Sequence, residues 1–186
     1  MREHQAGRDA VQYAAQSMLR WLERLRDDTA LLAQLTPRLQ EGVSQVPLVE
    51  TYGSVLRAGG EYHKVRWLDG TCHERLRMDQ DMGRIQRVPT AELQDKSGRP
   101  FFENALHLSP GQVHLSPMDL NVENGSIERP LRPTLRASSP FLRADGSTGV
   151  VVLNLHGKVL LERMREQARQ SGFTLYLVHP KGYWLI

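Results

Sequence analysis

The apolar spacing at the start of the chain constrains its fold more than any other feature. Val11, Ala15, Met18, Leu22, Leu25, Thr29 and Leu32 stand alternately four and three residues apart. That is a heptad seam held over about three heptads, and a helix brings such positions onto one line. Ala14, Leu19, Leu31 and Leu35 widen the seam to a broad face. Arg20, Glu23, Arg24, Arg26 and Asp27 fill the rest of the surface. The pattern predicts a helix over residues 5–41 with a break near Pro37. At ~30 residues it would be ~45 Å long, more than a small domain needs. Two readings stay open: the helix packs on the domain's own core, or its N-terminal part pairs with a second copy or continues toward a membrane. Both can hold along one helix, because the Ala positions permit close approach. Pro37 and Gly42 interrupt the helix, and residues 48–58 make a second, short one with Leu48, Tyr52, Val55 and Leu56 on one face.

A chain of 186 residues can bury a core without disulfides or metal. Cys72 is the single cysteine, so no internal disulfide and no CxxC site exist. The formal charge is +3, but basic and acidic residues are interspersed and no dense Lys/Arg run appears, which argues against nucleic acid. Aromatic content of 6% argues the same way for single strands. The 7 histidines form no HxxxH or HxH pair, so neither metal nor cofactor is expected. GxSxG, a Gly-rich phosphate loop and paired catalytic carboxylates are all missing from the sequence, so we expect no enzyme. Residues 1–30 are too charged for a secretory leader, and no apolar run reaches the ~18 residues that span a bilayer. A membrane receptor would therefore carry its spanning segments outside this sequence.

Strand patterns follow the helices. Tyr62–Leu68 alternates, with Val65 and Trp67 on one face and Lys64, Arg66 and Leu68 on the other. Asp69-Gly70 turns the chain into His73–Met78, where Arg75 and Arg77 oppose Glu74, Leu76 and Met78. Residues 79–98 read as a long polar connection. Pro100–Leu108 is a short helix opened by its proline. Gln112–Ser116 is a short strand and 117–130 a polar loop. Leu131–Leu142 sets Arg136 and Ser138 opposite Leu135 and Ala137. After the Asp145-Gly146 turn, Gly149–Leu155 is the most apolar strand and belongs at the sheet centre. Lys158–Ser171 is an amphipathic helix closed by Gly172. Phe173–Ile186 begins another hairpin, turning at Lys181-Gly182. The order predicts an α+β fold: an antiparallel sheet with the long helix on one face and a lid helix and loops on the other.

The main chemical constellation is Arg66, Arg75, Arg77, Arg99 and Arg136. Alternation places Arg66, Arg77 and Arg136 on the face beneath the lid helix, where converging guanidinium groups would hold a carboxylate or phosphate. The competing reading is solvated or salt-bridged arginine. Ser116 and Asp119, with Asn121, could meet a ligand amine or hydroxyl, or simply make a turn. Phe101 and Phe102 on the lid serve as core plugs more readily than as stacking platforms.

Four runs carry a family resemblance: VRWLD at 65–69, VPTAELQDKSGRPFFENAL at 88–106, VHLSPMDLNVENGSIERP at 113–130, and LRPTLRASSPFLRADGSTGVVVLNLHG at 131–157. Together they resemble the membrane-distal module of double PDC, or double Cache, sensor domains. The resemblance implies a PAS-like fold that sits outside the cytoplasmic membrane, in the periplasm, ahead of a histidine kinase, diguanylate cyclase or chemoreceptor part. It implies a long signalling and dimerisation helix over 1–45, a sensor module over 46–172, and a linker or the start of a second module over 173–186. The function it implies is binding of a small ligand by a membrane-tethered receptor; the arginine cluster points to an anion such as an organic acid, and the seam of the first helix to a homodimer. The expected ligand residues are Arg66, Arg77, Arg99, Phe102, Ser116, Asp119, Arg136 and Ser138. The amino-acid-binding branch of the family has Trp and Tyr after its Arg-Pro. Phe101 and Phe102 stand there here, which argues against an amino-acid ligand. The alternatives are a module that binds a protein partner or only transmits, and, further off, a small α/β enzyme.

Overall fold

The computed structural model describes residues 2–40, 44–182 and 185. Helix α1 (Arg2–Gln40) runs unbroken for 39 residues, about 58 Å at 1.5 Å per residue. The break expected at Pro37 does not occur. Pro37 lies in the last turn, where its missing N–H removes only one bond near the helix end. Tertiary packing holds that turn: Leu32, Ala33 and Thr36 are buried. The Thr36 hydroxyl also bonds the Leu32 carbonyl and the Tyr52 hydroxyl. The interruption expected at Gly42 lies outside the described residues. Helix α2 (Val46–Gly59) follows, with Pro47 in its first turn.

The sheet strands are β1 (Tyr62–Asp69), β2 (Glu74–Asp81), β3 (Arg84–Arg87), β4 (His114–Leu115), β5 (Asp119–Leu120), β8 (Pro133–Leu142) and β9 (Thr148–His156). They pair antiparallel in the order β3-β2-β1-β9-β8-β4, with β5 also on β8. The apolar strand β9 is central, as its composition demanded. Strands β6 (Val122–Glu123) and β7 (Ser126–Ile127) form a separate two-stranded hairpin. Helix α3 (Pro100–Leu106) covers one sheet face, and α4 (Gly157–Ser171) leaves β9 and ends at Gly172 in the left-handed conformation.

Helices α1 and α2 bury Leu25, Leu32, Leu48, Tyr52 and Leu56 against Val65, Trp67, Leu76, Met78, Leu153 and Leu155 on one face. The other face carries a smaller apolar cluster of Leu68, Cys72, Phe101, Phe102, Ala105, Val150 and Val152. The long helix on one face and the lid on the other match the fold class read from the sequence.

Two connections differ from expectation. Residues 79–98 are no plain connection: β2 extends to Asp81, Met82-Gly83 turns with positive φ at both residues, and β3 returns. Residues 117–130 contain β5 and the β6–β7 hairpin. Its turn, Asn124-Gly125, has φ of 49° and 75°, the positive values a tight hairpin requires. In the tail, the Gly182 N–H donates to the His179 carbonyl and the Leu185 N–H to the Leu177 carbonyl. The hairpin expected there includes Tyr183, Trp184 and Ile186, which lie outside the described residues.

Candidate functional site

Strand register builds a polar floor on the lid-facing side of the sheet. Lys64 pairs with Asp79 on one side and Asn154 on the other, and Asn154 pairs with Arg136. One row therefore reads Asp79, Lys64, Asn154, Arg136 across β2, β1, β9 and β8. The next row reads Arg77, Arg66, Val152, Ser138. Lys64, Arg66, Arg136 and Asn154 are all nearly inaccessible to solvent, which a sheet face tolerates only when charges are paired.

A β-bulge completes the floor. Trp67 pairs with Leu76, but Leu68 pairs with Glu74 rather than Arg75. The extra residue turns Glu74 onto the floor, whereas strict alternation had put it with Leu76 and Met78. Arg66 Nη1 donates to Glu74 Oε1 at 2.6 Å, and both side chains are buried. Arg77 grips Asp79 with Nε at 3.0 Å from Oδ1 and Nη2 at 2.8 Å from Oδ2.

Loops and α3 form the roof. Lys96 is placed by backbone bonds that lay residues 94–96 along the β2 entrance, Glu74 N to Gln94 O and Lys96 N to Cys72 O. The β6–β7 hairpin sends Glu123 down to the floor. The Glu123 carboxylate accepts from Lys64 Nζ, from Lys96 Nζ at 3.0 Å, from Arg77 Nη1 at 3.4 Å and from Asn121 Nδ2 at 3.1 Å. Burial alone would raise its pKa, but Arg66, Lys64 and Lys96 hold it well below the usual carboxylate range. Burial lowers the pKa of Lys64 and of Lys96, with Arg66 pushing in the same direction on each. Arg136 donates from Nη1 to Asp119 and from Nη2 to Asn121 Oδ1 at 3.1 Å. The Phe101 ring lies under three guanidinium carbons, those of Arg66, Arg99 and Arg136, 5.7–5.9 Å from its centroid.

A cleft of about 370 Å³ opens beside α3, lined among others by Arg99, Phe101, Ser116, Asp119 and Arg136. A second, of about 390 Å³, reaches Lys96, Arg99 and Asn124. Arg99 lines both, and among the described residues it makes no ion pair. Of the residues expected to meet ligand, Arg99, Ser116, Asp119 and Arg136 share the first cleft. Arg66 and Arg77 lie on the floor, committed to Glu74 and Asp79. Phe102 and Ser138 are elsewhere: Phe102 packs in the apolar cluster, and Ser138 donates to the Phe101 carbonyl at 2.7 Å, tying α3 to β8. Sequence reasoning put Lys64 on this face without giving it a role, and missed Glu74, Asp79, Lys96, Glu123 and Asn154. Asn154 had a usable mark, a lone amide inside GVVVLNL. The hairpin carrying Glu123 had another, the Asn124-Gly125 dipeptide. A larger cavity, about 670 Å³ between α4 and residues 172–176, holds none of the expected residues and none of the buried charge. No group of three or more His, Cys, Asp or Glu that could hold a metal exists among the described residues.

A family model for the bacterial histidine kinase sensor domain matches residues 8–186. The chain belongs to that family. Its solved structural neighbours include a domain of a sensory box/GGDEF family protein from Vibrio parahaemolyticus, at 22% identity and a TM-score of 0.77. That match covers 96% of this chain and 69% of the neighbour. An extracellular domain assigned to a histidine kinase aligns at 24% identity and a TM-score of 0.70, over 87% of this chain and 62% of its own length. The ligand-binding domain of the Campylobacter jejuni chemoreceptor Tlp3, in complex with L-valine, aligns at 13% and 0.63, over 87% and 64%. The sensor domain thus spans roughly two thirds of the length of these structures, and they share its PDC/Cache fold. No curated protein matches it in sequence. Membership in this family makes the chain the sensing part of a receptor and not its catalytic part.

Proposed function

We propose that this sensor domain lies outside the cytoplasmic membrane and binds a small organic acid in the cleft between β8 and α3. One observation carries the reading. The Arg99 guanidinium, which makes no ion pair among the described residues, stands beside Arg136 in a cleft of about 370 Å³, within the size range of small-molecule sites. The extracellular origin of the histidine kinase neighbour and the ligand in the Tlp3 neighbour support it. Phe101 supports an acid over an amino acid, because its ring stacks guanidinium groups and offers no hydrogen bond. In this reading residues 46–172 form the sensing module. Residues 1–45 carry the response toward the membrane and pair with a second copy, and 173–186 lead into whatever follows. Ligand contacts that differ between open and closed lid would shift the population and move β8 and β9 against α1.

The test is a thermal-shift titration with acetate, succinate, citrate and glutamate. A ligand of the folded state raises the midpoint as its concentration passes its Kd. We expect a dose-dependent rise with at least one acid in the wild type. We expect Arg99→Ala to lose that rise with its unliganded midpoint unchanged, since Arg99 makes no ion pair among the described residues. An unresponsive wild type, or an Arg99→Ala variant that responds like it, defeats the reading.

A further inference from the structure

The buried floor is built for an anion, and the protein supplies that anion itself. Lys64, Arg77 and Lys96 pair with the carboxylate of Glu123 and Arg66 adds its charge from further off, while Glu74 and Asp79 already hold the far sides of Arg66, Arg77 and Lys64. Withdrawing Glu123 would leave these cations facing only Glu74 and Asp79, with two positive charges unmatched. Like charges this close and this dry repel strongly, and an anion in that place relieves them.

The carrier of Glu123 is lightly built. Strands β6 and β7 have two residues each and belong to no larger sheet. A hairpin of that size has little stability of its own. Its tip is anchored by Asn124 N donating to Gln94 Oε1 at 3.2 Å, its base by Glu128 N on the Asn121 carbonyl. Beyond these, Asn121 Nδ2 donates to Glu128 Oε2 at 2.8 Å, Arg132 Nε pairs with Glu128 at 3.4 Å, and Glu123 adds its own ion pairs on the inner side.

The floor also has capacity that Glu123 does not use. Among the described residues Arg66 Nε is buried without a hydrogen-bond partner, and so are both Nδ2 and Oδ1 of Asn154. Unpaired buried polar atoms are costly and rare in native folds. Arg66 and Asn154 lie on the same face, in adjacent rows and on neighbouring strands. A single tethered carboxylate leaves these groups unmet, whereas a small molecule with more acceptor oxygens would meet the two donors, Arg66 Nε and Asn154 Nδ2.

We propose that Glu123 is a built-in stand-in for ligand: its carboxylate fills the anion subsite on the floor, and an external dicarboxylate binds by displacing it and lifting the β6–β7 hairpin. The proposal rests on the organic-acid reading above and deepens it, by naming the ligand class and the contact that must break. A dicarboxylate suits the two unmatched charges. Arg99, at the rim of both clefts, is placed to meet its outer end. The hairpin is then the moving part: seated when Glu123 is in place, released when the ligand takes over.

Competition sets the expected size of the effect. If the self-liganded form dominates, the apparent affinity for an external acid is reduced by the fraction of molecules with the site free. Glu123→Gln keeps the shape but removes the charge. It should bind succinate at least about tenfold tighter than the wild type by calorimetry. Glu123→Ala removes the carboxylate and leaves a gap into which propionate, a short free carboxylate, can bring the missing charge. Propionate should raise the melting temperature of Glu123→Ala and leave the wild type unmoved. A Glu123→Ala variant that folds only when propionate is present gives the same support. The proposal is overturned if Glu123→Ala is folded and responds to propionate no more than the wild type. It is also overturned if Glu123→Gln binds succinate no tighter than the wild type, and that result decides the matter where Glu123→Ala does not fold under either condition. Failure of the cleft reading looks different. There the wild type and Arg99→Ala are both indifferent to every acid, while Glu123→Ala still takes up propionate.

Discussion

Arg66 shows how the residue types in this face divide between holding the fold and meeting a ligand. Its guanidinium bonds Glu74 at 2.6 Å with neither side chain accessible to solvent. A pair this deep lost its hydration on folding and recovers it through the partner, with Gln94 N at 3.1 Å and Arg77 Nη1 at 3.5 Å adding to the hold on Glu74. Removing Arg66 leaves Glu74 Oε1 charged and without the bond that it accepted. Arg66→Ala should therefore destabilise by about 3–5 kcal/mol in urea denaturation. Replacing both members, as Arg66→Met with Glu74→Leu, should recover most of that loss, since no buried charge then lacks its partner. A cost for Arg66→Ala no larger than that of the double variant would show that Glu74 does not depend on it. Arg99 is the opposite case, a guanidinium held over Phe101 with no carboxylate of its own among the described residues. The sequence put both arginines in one constellation, because composition and alternation report which face a side chain takes and not what waits there.

At the scale of elements, much of the layout was legible. The heptad spacing marked α1, the run GVVVLNL marked the central strand, and Gly172 marked the end of α4, each through a local pattern with a direct physical cause. What failed depended on pairing. The bulge opposite Leu68 reverses the face of Glu74, and nothing in HERLRM announces it. Strand β3 offers one apolar residue, Ile85, in four, too weak a period to read. Lys64 and Glu123 meet across 59 positions, so no local pattern could have joined them. The β8–β9 pair shows how tightly such pairing is specified once made. Phe141 lies opposite Gly149, and a Cβ there would come within 2.4 Å of the Phe141 ring. That ring also packs edge-on against Trp67 at 6.0 Å, so it has little room to withdraw. Gly149→Ala should cost about 1–3 kcal/mol as overpacking. Gly149→Ala combined with Phe141→Leu should lose less than the two single effects summed, because the variants share one contact. Additive losses in a double-variant cycle would mean that the ring swings aside freely.

The whole molecule is asymmetric along α1, and that asymmetry bears on how a signal could leave it. From Leu25 onward the seam is inside: Leu25, Thr29 and Leu32 are fully buried against the sheet. Toward the N-terminus the same seam comes out. Met18 and Leu22 are half-buried, Ala15 is exposed, and Val11 and Leu19 are more than half accessible at 57% and 55%. The core-packing reading thus holds from Leu25 onward, and the outer half is the part of the helix to which the pairing proposed above applies. A continuous helix couples them, because a tilt or twist imposed by β8 and β9 at one end displaces the other end as a rigid lever of about 58 Å. The exposed half is suited to a second copy, as proposed above, but weakly. Ala15 at the seam buries little area, and the charges around it must be accommodated at the rim. Sedimentation velocity should show a monomer giving way to a dimer only at high concentration. Val11→Glu with Leu19→Glu should abolish the dimer without changing the melting temperature of the monomer, since neither side chain contributes to the buried core. A strict monomer at every concentration, or a charged variant that still dimerises, would mean that the outer half of α1 is not the surface by which two copies meet.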